Sequence, residues 1–466
     1  MIAVPVIAIF DIGKTNKKFF LIDELYKIVL ERSVQYEEIT DEDGDACDDI
    51  DLLTAWVSKT LTAILKLKKF DVQAVNFSAY GASLVYMNEA GKVIAPLYSY
   101  LKNYPEEIKN ELYEKYGGAE KFSCETASPV LGSLNSGMQL YRIKKEKPEL
   151  YDKIKYALHL PQYISYLISK KPVSDITSIG CHTQLWNYPT NNYHRWVAAE
   201  GIEEKLAPVQ SSYATNKVNY QGKMLEAGIG LHDSSAALIP YLAVFTEPFV
   251  LISTGTWCIS LNPFNNTPLT NVELQKDCLC YMEYQGKPVK ASRLFAGNEH
   301  EQQIKKLAKH FNKPVDSYKK IKYNSTIIAA LQKKYNFDKA LKKNDDNLSV
   351  SVFETRNLAA FKNYEEAYHC LLYDIMQQQL SSTQLVITGS MVNRIFVDGG
   401  FSNNSIYMHL LALAFPGLEV YAASVAQATA MGAALAIHKE WNTLPVPADM
   451  VKLKYYKITD NVNLDV

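Results

Sequence analysis

The sequence lacks an excess of charge of either sign. Its 466 residues carry 49 lysines and arginines against 50 aspartates and glutamates, a formal net charge of −1. No basic field exists to hold a polynucleotide or an anionic membrane surface, so neither is an expected partner. Zinc-type cysteine pairs are missing too. The seven cysteines are scattered, with one close pair at Cys278-x-Cys280 and no C-x-x-C. An odd set of scattered thiols fits a reduced, cytoplasmic protein. No apolar run reaches the ~18 residues of a membrane span. The apolar stretch Val4–Phe10 has no basic leader and runs into Asp11, the pattern of a buried strand and not of a signal peptide. The acidic run Asp41–Asp51 lacks EF-hand spacing, since Gly44 falls in the wrong place and no glutamate closes the loop. It reads as a solvated loop.

What is present is an ordinary globular balance, 47% hydrophobic and 21% charged. The chain is too long for one core, so two or more domains are expected. Val4–Phe10, a polar turn Asp11–Lys18 and Phe19–Ile22 read as strand, turn, strand. Much later the pattern returns: Pro248–Ile252, the turn Ser253-Thr254-Gly255-Thr256, and Trp257–Leu261. Such a turn offers backbone N–H groups and hydroxyls to an anion, most commonly phosphate. Either turn alone is commonly a plain hairpin. Two of them, each opening a half of the chain, imply duplicated halves facing one cleft.

Between and after them strands alternate with helices. Leu52–Lys69 has the period of an amphipathic helix, with Asp48, Asp49 and Asp51 near its start. Val72–Phe77 reads as a strand, and Leu84–Met87 with Lys92–Ile94 as a hairpin around Asn88–Gly91. Glu365–Leu380, Ser405–Ala414 and Ala426–His438 read as helices. Strand Arg394–Val397 ends at Asp398-Gly399-Gly400-Phe401-Ser402-Asn403, a third glycine turn, where backbone can lie flat against a ligand. Finally, Gly228-Ile229-Gly230-Leu231-His232-Asp233 leads into a run of small residues. That places Asp233 at the start of a helix, either as a surface cap or as a general base for a substrate hydroxyl.

The order of these segments resembles the FGGY family of carbohydrate kinases, within the actin-like ATPase superfamily, over nearly the whole chain. Asp11–Lys18 resembles its first phosphate hairpin, Ser253–Trp257 its second, and Gly399–Asn403 its adenosine motif, while Asp233 falls at the position of its catalytic aspartate. Within the family the pattern is most similar to the rhamnulokinase group, through His232–Ala237, Val85–Gly91, Asn135–Leu140, Leu158–Gln162 and Thr183–Leu185. The sugar-facing loops depart from the pattern at Ser78–Gly81 and Tyr100–Asn103, where a charged sugar contact is lost, and the first hairpin ends Asn16-Lys17-Lys18.

The resemblance implies an α/β fold of two actin-like (ribonuclease H-like) ATPase domains with a cleft between them. Residues 1–245 would form the sugar-binding domain with the first phosphate hairpin, and residues 246–466 the domain with the second hairpin and the adenosine site. It implies an ATP-dependent kinase acting on a hydroxyl of a ketose, foremost the C1 hydroxyl of an L-rhamnulose-like sugar, with L-fuculose or a pentulose as alternatives. Asp233 would be the base, with His232 either touching the sugar or packed in the cleft wall. Asp11 would hold Mg²⁺ through water. Gly13, Thr15, Asn16 and Lys18 would hold terminal phosphates from one side, and Thr254, Gly255 and Thr256 from the other. Gly399, Gly400, Asn403 and Gly297, with Glu299 nearby, would pack the nucleotide. Tyr80, Gly81 and Gln139 would face the sugar. A monomer and a homodimer both stay open. A non-catalytic sugar or nucleotide sensor on the same fold is the rival from another class, since folds do not fix function. A heat-shock- or actin-type ATPase is a second rival, countered by the sugar-kinase-like segments around Gln139 and Gln184.

Overall fold

The computed structural model describes residues 3–335 and 352–457. Two sheets of like topology dominate it. In the first, the apolar strand Val4–Ile12 doubles back antiparallel onto Lys17–Asp23, which pairs in turn with Ile28–Val34. On its other side Val4–Ile12 runs parallel to Phe70–Ala79, which runs parallel to Leu231–His232 and to part of Lys223–Gly228. In the second, Phe249–Thr254 doubles back onto Cys258–Asn262, followed outward by Pro288–Leu294 and Cys278–Met282. Its other side is parallel to Arg394–Gly399, and that strand to Glu419–Ser424. Each sheet thus has an antiparallel part, a plain meander in the first and one with its outer two strands out of chain order in the second, whose first strand also begins a parallel run. The long near-continuous apolar runs fit strands covered on both faces.

Register decides what meets at the strand ends. In the first sheet Asp11 and Leu231 both lie opposite Ser78. Two strand spacings therefore separate them at the backbone, about 10 Å. In the second, Ser253 lies opposite Asp398 and Thr254 opposite Gly399. The three glycine turns and Asp233 all emerge at carboxyl ends of parallel strands, where open α/β sheets bind ligands.

A core shared by both halves closes the space between the sheets, with Ile7, Phe20, Ala236, Phe249, Phe396 and Ala433 among its members. At its centre helix Asp233–Val244 crosses helix Ala428–Ala436, and a Cβ on Gly432 would lie 1.7 Å from the carbonyl oxygen of Ala236. Only glycine admits that approach. The chain passes from one sheet to the other through helix Asp233–Val244 and residues 245–248.

Several elements differ from the sequence expectations. The first long helix is Ile50–Leu65, capped by Asp49, whose side chain accepts from the N–H of Leu52. Leu84–Met87 forms its main ladder with Tyr156–His159, while the turn at Asn88–Gly91 leaves only the bridge Met87↔Val93. That pairing is non-local and carries no short-range signal. The helix expected over 365–380 continues as Tyr364–Ile387, and the one expected over 426–438 is Ala428–Ala436. Segment 41–45 is not simply a solvated loop. The buried Lys102 ammonium bridges Asp41, Asp43 and Asp45, so a lysine nitrogen gathers the carboxylates there.

Candidate active site

Strand Leu231–His232 turns directly into helix Asp233–Val244. Gly230 permits the entry to that strand: its φ is +86°, and a Cβ there would lie 2.5 Å from the Pro161 carbonyl oxygen. Asp233 thus heads the helix, its side chain 34% exposed to the cleft. Its Oδ1 accepts from the Ser234 N–H at 2.6 Å and from the Ser234 hydroxyl at 3.3 Å. Those bonds favour the carboxylate, but burial outweighs them and pushes its pKa up to about 6. Asp11, at the end of the first strand, is pushed up to about 7, first by burial and then by the charge of Asp233, with Lys18 pulling the other way. The charge of one acid is thus felt by the other.

His232 is packed behind this pair. Its side chain is 4% exposed, and Nε2 lies 3.3 Å from both Asp233 Oδ1 and Cys181 Sγ. The ring stacks on Tyr281, with centroids 5.7 Å apart. Burial lowers its pKa to about 3, so the ring is neutral. Gly81 makes room for it: a Cβ there would sit 2.6 Å from His232 Cδ2.

In front of Asp233 opens a cleft of about 550 Å³, lined by the rings of Tyr80, Tyr100, Tyr104 and Trp257 together with Asn103 and Arg293. Asp233 is the one carboxylate among its lining residues. The Tyr80 hydroxyl is committed elsewhere, donating to Asp48 Oδ2 at 2.7 Å, so Tyr80 offers the cleft its ring. Asp48 also accepts from Lys14 at 2.7 Å and from the buried Lys17 at 2.9 Å. Gln139 lies behind this cleft. Its Nε2 donates to the carbonyls of Ala82 at 2.6 Å and Ser133 at 2.5 Å, two residues of the wall. Arg293 is gripped by Asp277 through both of its carboxylate oxygens and lies 5.4 Å from the Trp257 ring centre.

The first hairpin closes with the Gly13 N–H donating to the Asn16 carbonyl at 2.9 Å. Thr15 is exposed, and Asn16 Oδ1 accepts from Gln35. Lys18 donates to Gln427 Oε1 at 3.1 Å, a residue of the other half. In the second hairpin Gly255 and Thr256 are exposed. Thr254 is not: its hydroxyl donates to the Asp398 carbonyl at 2.6 Å and accepts from the Phe401 N–H at 3.0 Å, tying the hairpin to the Gly399 turn. Gly399 has φ +91°, and a Cβ would lie 2.0 Å from the Thr254 carbonyl oxygen. Gly297, near the start of helix Ala296–His310, is packed still closer, with a Cβ position 1.8 Å from the Gly255 carbonyl oxygen. Beside these turns lies a cavity of about 390 Å³ that includes Gly255, Gly297, Gly400 and Asn403. Glu299 stands on the same helix, half-buried.

Sequence reasoning missed several residues here. Tyr318, Lys319 and Lys322 line the second cavity from a segment with no motif. Asp48 was assigned to the helix start, and its contacts with Lys14, Lys17 and Tyr80 are long-range. His182 and Cys181 directly precede Thr183-Gln184-Leu185, so a signal lay next to them. Arg293 had none.

Asp11 is the carboxylate here that could hold a hard divalent cation, its pKa raised first by burial and then by the charge of Asp233.

Residues 6–237 match the N-terminal domain of the FGGY family of carbohydrate kinases, and residues 246–336 a C-terminal domain of carbohydrate kinase FGGY. Among curated proteins, the chain is similar to the rhamnulokinase of Halalkalibacterium halodurans, 24% identical over 261 residues, which are 53% of this chain and 54% of that protein. It is also similar to the rhamnulokinase of Bacillus subtilis, 22% identical over 279 residues, 57% of this chain and 54% of that one. The match spans about half the length of these relatives. A solved carbohydrate kinase from Novosphingobium aromaticivorans shares the fold, with a TM-score of 0.75 at 20% identity over 98% of this chain and 94% of that one.

Proposed function

Because this chain belongs to the FGGY family of carbohydrate kinases, we propose that it transfers the γ-phosphoryl group of ATP to a hydroxyl of a ketose, foremost the C1 hydroxyl of an L-rhamnulose-like sugar. The observation that carries this reading is that Asp233 heads a helix at the cleft while Asp11, at the end of the first strand, is close enough for the charge of Asp233 to raise its pKa, with the two hairpins at the carboxyl ends of the neighbouring parallel strands.

Asp233 accepts the proton of the attacking hydroxyl. A carboxylate with a pKa near 6 is mostly ionised at neutral pH, yet is a stronger base than an exposed one. His232, neutral and wedged by Gly81 and Tyr281, packs its Nε2 3.3 Å from Asp233 Oδ1. The nucleotide occupies the cavity beside Gly255, Gly297, Gly400 and Asn403, where glycine lets backbone approach it closely. Gly13, Thr15, Asn16 and Lys18 meet its terminal phosphates from the first half, and Gly255 and Thr256 from the second. Thr254 and Gly399 shape that second loop. Asp11 holds Mg²⁺, which supplies charge neutralisation on the phosphates. The sugar lies against the rings of Tyr80, Tyr100 and Trp257, with Gly81 and His232 forming the floor near Asp233. Gln139 acts one layer out, by fixing the carbonyls of Ala82 and Ser133. The apolar surfaces of Leu101, Leu131 and Leu134 in the same lining fit the methyl group of a 6-deoxy sugar. The name shared by both curated relatives supports the same choice.

The test is ATP-coupled turnover over L-rhamnulose, L-fuculose, ribulose, xylulose, an aldose and glycerol, with and without Mg²⁺. A ketose is expected to give the highest kcat/KM, with L-rhamnulose first, and chelation is expected to abolish turnover. If glycerol or the aldose surpassed every ketose, the acceptor assignment would be wrong. Binding of sugar and nucleotide without any turnover would make the protein a sensor.

A further inference from the structure

Three metal-ligating side chains converge beside the proposed base. Cys181, His182 and His232 are all buried, and their ligand atoms lie within 4.8 Å of one another. Cys181 Sγ is 3.3 Å from His232 Nε2, and Asp233 Oδ1 is also 3.3 Å from that nitrogen. We propose that Cys181, His182 and His232 form a site for a borderline-soft divalent ion such as Zn²⁺, with its fourth position open toward Asp233, and that its binding takes Asp233 out of service.

The dimensions fit. With metal–sulfur bonds of ~2.3 Å and metal–nitrogen or –oxygen bonds of ~2.0–2.1 Å, the edges of a tetrahedral site run about 3.3–3.6 Å. The two short distances around His232 are already of that size, and the ligand atoms of Cys181, His182 and His232 all lie within 4.8 Å of one another, so the three close on an ion by side-chain movement. One of the histidines is prepared for it. His182 Nδ1 lies 3.1 Å from the Leu134 carbonyl oxygen, so Nδ1–H donates there and Nε2 keeps its lone pair for a metal. His232 Nδ1 has no hydrogen-bond partner among the described residues, so binding through Nε2 moves the ring proton to Nδ1, where only water could accept it. Charge balances as well. Binding releases the Cys181 thiol proton to solvent, and thiolate plus carboxylate match the dication. Arg293, the cation nearby, is offset by Asp277. His182, His232 and Asp233 line the acceptor cleft, which gives an ion its route in. Sulfur and imidazole select against Mg²⁺, so the Asp11 site and this one take different metals.

The inhibitory consequence rests on the proposed role of Asp233; the binding does not. The full chain, freed of metal, is titrated with Co²⁺ as a spectroscopic probe and then with Zn²⁺. A thiolate-to-cobalt charge-transfer band is expected, erased by Zn²⁺. With Mg²⁺ and ATP in excess, Zn²⁺ is expected to inhibit wild type. Cys181→Ser should lose the band, keep turnover within about twofold and require at least about tenfold more Zn²⁺ for half-inhibition. A band that persists in Cys181→Ser, arising from another thiol such as Cys280, overturns the site, as does unchanged sensitivity to Zn²⁺. Should that variant fail to fold, X-ray absorption of Zn²⁺ on wild type decides: one sulfur and two imidazoles support the site, and a sulfur-free shell overturns it. An inactive wild type that still shows the band would sink the kinase reading and keep the site.

Discussion

At Asp233 two opposing effects meet: hydrogen bonds from Ser234 favour the charged carboxylate, and burial disfavours it more. The resulting pKa of about 6 has a direct kinetic consequence. The protonated acid cannot accept a proton, so kcat/KM should hold above neutrality and fall as pH drops through about 6, approaching tenfold per unit below it. Asp11, raised to about 7, titrates in the same direction, and a bound cation lowers it toward the ordinary carboxylate range. A rate profile flat from pH 8 to ~4.5 would separate Asp233 from the proton transfer. Gly81 makes a second prediction at this scale. An added Cβ would sit 2.6 Å from the His232 ring, which cannot retreat because Tyr281 stacks on it. Gly81→Ala should therefore lower kcat/KM for the acceptor by roughly tenfold or more, the cost of local overpacking, while ATP binding stays near wild type. A steady-state comparison with the acceptor varied reads this directly, and an unaffected variant would show that the His232 position is irrelevant to turnover.

At the scale of elements, the second hairpin, the Gly399 turn and the start of helix Ala296–His310 form one unit. Thr254 ties the first two together through its hydroxyl, and Gly297 lets the helix touch Gly255. Gly297→Ala would drive a methyl group to 1.8 Å from a backbone oxygen, so hairpin or helix must move. The expected result is weaker nucleotide binding, by roughly tenfold or more, with acceptor binding preserved. Calorimetry with an ATP analogue and with the sugar separates the two; equal losses for both ligands would show a general loss of structure. The hairpins themselves were legible in the sequence, because apolar runs interrupted by small polar turns are a local signal. Asp233 was legible as a helix start for the same reason. Contacts made across the chain were not. Nothing near Leu84–Met87 signals its partner Tyr156–His159, and nothing near Lys102 signals its carboxylates at residues 41–45. Asp48 reads locally as a helix-start acid, while its real partners are Lys14, Lys17 and Tyr80. Gln139 has the opposite history: its segment was legible, but its amide points into the wall and not into the cleft.

For the whole molecule, the two sheets bring their strand ends to a common space, and the crossing at Ala236 and Gly432 packs the helix that begins with Asp233 against one from the second half. The Lys18–Gln427 hydrogen bond also joins the halves. On the proposed role of Asp233, a base carried at that crossing would sense the placement of both halves, so that closure over two substrates would assemble the site and exclude water as a competing acceptor. The central claim is that Asp233 takes the proton from a sugar hydroxyl as phosphate is transferred from ATP. The most direct test is the rate of ATP-dependent phosphorylation of L-rhamnulose by wild type and by Asp233→Asn, measured alongside nucleotide affinity. Asparagine keeps the shape and cannot accept the proton. Wild type should turn over, and the variant should lose a factor of roughly 10²–10⁴ in rate with nucleotide affinity little changed. Near-wild-type turnover by Asp233→Asn would contradict the account.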